Sequence, residues 1–262
     1  MMSIDIKYNY LIEDSYEKMS KDFDIDNRID PDSQSEKLYD DIISVYFSND
    51  PNVVNWKQQY RKQPPFYTIK VNDTKSNVTL LSADYIGPSV YWAFQSGVQK
   101  EKIIDFLKKS RTIGGHIVWE RGLANGVETV NIARAGDKGV YDRIDWTLFL
   151  LREYLNTNPS TFDNFYNTIC NLLANKYGKD FEKDLSFVQR LFNSFKNSNW
   201  INSFAFDKFC DKFKLCGSFV SLDYKVVLME SLFPVLPSKY DCYIDNVVNA
   251  IERRNSVIMS SI

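Results

Sequence analysis

Residues 111–152 read RTIGGHIVWERGLANGVETVNIARAGDKGVYDRIDWTLFLLR, and the fold of the chain turns on them. This stretch holds the only histidine, His116, six of the ten glycines and five of the ten arginines. His116–Trp119 is apolar and β-branched around the imidazole, so it reads as a strand. Asn125-Gly126 is a strong short turn dipeptide. Glu128–Ile132 then reads as the return strand of a hairpin. With the turn centred near 123–124, His116 falls opposite Asn131 and Val118 opposite Thr129. From Val140 to Leu155 the period changes. Ile144, Leu148, Leu151 and Leu155 lie on one helical face, and Trp146, Phe149 and Leu150 widen it, so this helix should be buried nearly all round.

Outward from there, the N-terminal side is mixed. Residues 1–35 are polar and acidic and read as a segment apart from a single domain over 36–262. Residues 1–50 carry 13 acids and 5 bases, although the whole chain is only -2. Ser35 caps a helix carrying Leu38, Ile42, Val45 and Tyr46. Phe66–Val71 and Val78–Leu81 form a hairpin across the turn Asn72–Asn77. A short helix ends at Gly97, and another runs from Lys100 to Lys109. On the C-terminal side helices are expected at 162–176, 184–197, 200–213 and 241–257, with a hairpin across Gly217–Met229. The expected fold is α+β: a mostly helical domain with a small antiparallel sheet built from the 66–81 and 116–132 hairpins.

Composition excludes several classes. The 262 residues are 44% hydrophobic and 25% charged, as a globular chain should be. No apolar run approaches the 18 residues of a membrane span. The N-terminus lacks the basic and apolar regions of a signal peptide. Cys170, Cys210, Cys216 and Cys242 form no C-x-x-C pair, and one histidine cannot complete a zinc site, so no metal or cofactor is expected. Free thiols point to a reducing compartment, the cytoplasm. Arg253-Arg254 reads as a small surface patch. Phe204, Phe206, Phe209 and Phe213 read as core.

Chemistry concentrates in the quoted stretch. Gly136-Asp137-Lys138-Gly139 precedes a helix N-terminus, where backbone N–H groups and the helix dipole favour phosphate or carboxylate. It is neither a Walker A loop nor G-x-G-x-x-G. Asp142 and Asp145 read as a solvated helix start rather than a cation site. Arg111 and His116 have the R-x-x-x-x-H spacing of helical HEPN ribonucleases, but Gly114-Gly115 breaks a helix there. The expected site is therefore a pocket in which His116 is the acid/base. Arg121, Asn131, Arg134, Lys138 and Arg143 would hold a phosphate-bearing ligand, RNA or a nucleotide. Such a pocket binds that ligand or performs metal-independent chemistry on it. The alternative is a non-catalytic regulatory or interaction protein, as in conflict between phage and host, meeting a protein partner. Neither reading involves a membrane.

The pattern GGHIVW, then Arg-Gly, N-x-x-R and DRID resembles that of an uncharacterised bacterial protein family, clearest from about Asp84 to Tyr154. FCDKFKLCGSFVSLDYKV is similar as well. The resemblance implies no activity. Glu120 departs from it, since proline is expected before the Arg-Gly.

Overall fold

The computed structural model describes residues 4–10, 35–48, 50–55, 67–71, 78–86, 90–135, 143–177, 186–229 and 237–262. Ser35 caps α1 (Glu36–Tyr46), its hydroxyl accepting from the Leu38 amide at 3.2 Å. The strands β1 (Val53–Asn55), β2 (Tyr67–Lys70), β3 (Val78–Tyr85) and β4 (His116–Glu120) form one antiparallel sheet in that order. Between β3 and β4 lie α2 (Val90–Gln95), α3 (Lys100–Ser110) and a 3₁₀ turn, Ile113–Gly115. Ile103, Phe106, Leu107 and Ser110 are buried on α3 at helical spacing.

β4 is where the expected topology changes. It pairs with β3, not with residues 128–132: Tyr85 lies opposite His116, Asp84 opposite Ile117, and Leu81 opposite Glu120. Asn125-Gly126 does make a turn, with φ 52° and 77°, the paired positive values of a type I′ turn. It closes only a small separate hairpin, β5 (Leu123–Ala124) with β6 (Val127–Glu128). The chain then enters α4 (Val130–Ala135) instead of extending a strand. Val130 and Ala133 are both buried, and an i, i+3 pair of apolar residues suits a helix face better than a pleat.

The remaining described elements are helical. They are α5 (Ile144–Thr157), α6 (Phe162–Tyr177), α7 (Ser186–Asn197), α8 (Phe206–Lys212) and α9 (Tyr240–Ser261). α5 is the buried axis expected from its pattern, with Ile144, Leu148, Leu150 and Leu151 fully enclosed. It begins at Ile144, because Arg143 has non-helical backbone angles. Phe206, Phe209 and Phe213 are core, and Phe209 stacks on Trp119 at 5.7 Å. The hairpin expected at 217–229 is reduced to isolated bridges, Cys216 to Val220 and Val220 to Val226. The fold is thus mostly helical α+β. Among the described residues no helix is long and apolar enough to cross a membrane.

Candidate functional site

The turn leading into β4 is held by the C-terminal helix. A Cβ on Gly115 would lie 1.9 Å from the Ser110 carbonyl oxygen, and one on Gly114 would lie 2.6 Å from Asn255 Oδ1. The pair is therefore glycine because α9 and the end of α3 leave no room for a side chain. Asn255 Oδ1 accepts from the Gly114 amide at 2.7 Å, and its Nδ2 donates to Thr112 Oγ1 at 2.9 Å. Arg254, expected on the surface, is fully buried beside it. Its guanidinium donates to the carbonyls of Phe213, Gly114 and His116 and to the Tyr46 hydroxyl. Those contacts use all five N–H groups of the fork. The residue sits on the apolar stripe of α9 because every donor finds an acceptor there.

His116 is fully enclosed at the start of β4. Its Nδ1 lies 2.8 Å from the Thr112 carbonyl. A carbonyl only accepts, so Nδ1 carries the proton and Nε2 is left as an acceptor. Nε2 is buried with no hydrogen-bond partner among the described residues. The Tyr10 ring meets the imidazole edge-on at 5.7 Å. Burial, with lesser contributions from Arg111 and Arg254, lowers the imidazole pKa to about 3. A titration near neutrality, which the acid/base expectation needs, is absent in this enclosed state.

Arg111 ends α3 and is 4% exposed. Its guanidinium carbon lies 3.6 Å from the centroid of Tyr85, the residue directly opposite His116. Nε and Nη1 are buried without partners, and no carboxylate pairs with it among the described residues. Residues 4–10 lie across this region as a strap. Tyr10 donates its amide to the Arg111 carbonyl at 3.0 Å and its hydroxyl to Asp41 at 2.6 Å. Asn9 donates to the Lys108 carbonyl. A cavity of about 330 Å³ opens beside the strap, lined by Lys7, Lys108, Lys109, Thr112 and Asn255 among others.

The other expected site residues are dispersed. Asn131 donates to Ser82 Oγ at 3.1 Å, and Arg134 pairs with Asp84 at 2.5 Å. Ser82 and Asp84 alternate with Tyr85 along β3, so the sheet itself separates them from His116. The register that would place His116 beside Asn131 does not form. Arg143 grips Asp145 through Nε and Nη2, each at 2.8 Å, under the Tyr243 ring. Each of these two arginines thus has its own carboxylate, and their pairing needs no anion. Asp145, expected to be solvated, is fully buried and also accepts from the Met229 amide. Lys138 and Asp142 lie outside the described residues. Arg121 lines a second cavity, with Glu120, Thr129 and Asn197.

The pocket expected from the sequence left out Arg111, Glu120 and Arg254. The R-x-x-x-x-H spacing marked the first of them, but it joins a helix end to a strand start and not two turns of one helix.

The chain belongs to a family of unknown function, DUF6994, whose pattern matches residues 5–258. No curated protein and no solved structure matches it.

Proposed function

We propose that the protein binds a phosphate-bearing ligand, a nucleotide or an RNA end, through Arg111 and His116 beside the N-terminal strap. One observation carries this reading: Arg111 is a buried cation with two guanidinium nitrogens unmatched and no carboxylate among the described residues. Arginine cannot shed its proton, and an uncompensated buried ion costs several kcal/mol. A phosphate supplies both charge and acceptors. Its protonated oxygen can donate to His116 Nε2, the one acceptor the imidazole still offers. Of the three lysines around the adjoining cavity, Lys109 is already paired with Asp105 and with Glu252, which also lines it, so Lys7 and Lys108 are the ones that favour approach of an anion. The reading is one of binding. With its pKa near 3 in the enclosed state, His116 has no acid form to offer a leaving group at neutral pH.

The single histidine makes the test direct. The side-chain nitrogen resonances of His116 are followed while inorganic phosphate, AMP or a short 5′-phosphorylated RNA is added. Binding should shift Nε2, raise the melting temperature and weaken with added salt. Arg111→Gln should remove these effects. If none of the three ligands moves the His116 resonances or the melting temperature, the reading is wrong.

A further inference from the structure

At the far end of β4 lies a cavity of about 200 Å³, walled by Thr79, Glu120, Arg121, Thr129, Asn125 and Asn197 with smaller apolar contributions. A water molecule takes about 30 Å³ of liquid, so the space is large enough for a ring. Glu120 is 3% exposed and Thr129 1% exposed. Glu120 Oε1 accepts from the Thr79 hydroxyl at 3.3 Å, but among the described residues neither Oε2 nor Thr129 Oγ1 has a partner at hydrogen-bond geometry, although Ser198 lies near the carboxylate. Burial raises the Glu120 pKa, an effect that Ser198 and Thr79 partly oppose. One wall is held in place by Asn125, which donates to the Asn197 carbonyl at 3.1 Å, and by the Arg190–Glu128 ion pair.

We propose that this cavity recognises a guanine-type edge, a neutral ring with two adjacent N–H donors beside a carbonyl. A carboxylate only accepts, and its two oxygens match a ring N–H and a neighbouring amine. Asn125 Nδ2 and Asn197 Nδ2 donate to the Asn197 and Asn193 carbonyls, and the second N–H of each is a donor for the ring carbonyl. A cationic guanidinium ligand suits the site less, since Arg121 would repel it. An adenine edge sets a ring lone pair against the carboxylate. The site is separate from Arg111 and His116. β4 runs from His116 to Glu120, a rise of roughly 13 Å.

The test is calorimetric titration of the full chain with guanosine, inosine and adenosine. Guanosine should bind. Inosine, which lacks the exocyclic amine, should bind roughly tenfold or more weakly, and adenosine should not bind measurably. Glu120→Gln should abolish the preference while leaving the circular dichroism unchanged. Arg111→Gln should leave guanosine binding intact, which separates this site from the phosphate reading. Equal binding of all three nucleosides, or binding of none, overturns the proposal even if Glu120→Gln fails to fold. Loss of guanosine binding in Arg111→Gln overturns it too.

Discussion

Arg254→Met should unfold the protein far more easily than a surface arginine substitution would. The residue donates to three buried backbone carbonyls and to Tyr46, and all five donors are used. Each buried acceptor left unmatched costs about 1–3 kcal/mol, so four of them set a ceiling of roughly 4–12 kcal/mol. Two effects reduce that figure. Burial already works against the Arg254 charge, lowering its pKa, so removing the charge relieves a desolvation cost. Some carbonyls will also find water after relaxation. The net expectation is a loss of about 3–5 kcal/mol, close to that for breaking a buried ionic contact. At about 2–4 °C per kcal/mol for a chain near this size, the melting temperature falls by roughly 6–20 °C. Arg254→Lys keeps the charge but has three donors on a compact head, and should lose at least half as much. Urea unfolding followed by circular dichroism measures both. A loss below about 1 kcal/mol for Arg254→Met would show that α9 does not hold the Gly114–His116 turn, and would refute the argument.

Gly115→Ala should abolish folding or cost at least about 3 kcal/mol by overpacking, because its Cβ meets a carbonyl oxygen at 1.9 Å. Gly126→Ala, in open space at φ 77°, should cost only about 1 kcal/mol of backbone strain; equal losses in thermal melts would contradict this. Arg143→Ala leaves Asp145 buried with its charge unpaired, so a drop of about 3–5 kcal/mol is expected, recovered in part by Arg143→Ala with Asp145→Asn. The folded-state pKa of His116, about 3, lies below its ordinary 6.5. The unfolded chain therefore takes up the proton first as pH falls. The stabilising contribution is complete above about 6.5 and is lost toward 3, at up to about 1.4 kcal/mol per pH unit. His116→Gln should flatten that part of the stability profile between pH 6.5 and 4, and an unchanged slope would show that the ring is hydrated.

Local pattern determined a good deal. The period of Ile144, Leu148 and Leu151 specified a buried helix, and the helix is there because side-chain spacing alone decides which face is apolar. Ser35 capped its helix as a serine at that position should. Asn125-Gly126 made its turn because two positive φ values are cheap only for such residues. Pairing was not legible in the same way. β4 joins β3 on one edge, and residues 128–132 do not take up its other edge because the chain turns into a helix that buries Val130 and Ala133. That outcome moved Asn131 and Arg134 to the opposite face of the sheet from His116. Charge state was equally hidden. Arg134 and Arg143 look like Arg111 in sequence, yet among the described residues two found carboxylates and one did not. Arg254 looked exposed because it follows another arginine, and only the carbonyls of Phe213, Gly114 and His116, brought together from 41 to 140 positions away, make its burial tolerable. Residue type sets what a side chain can bond, and the tertiary structure decides whether a partner from another part of the chain is within reach.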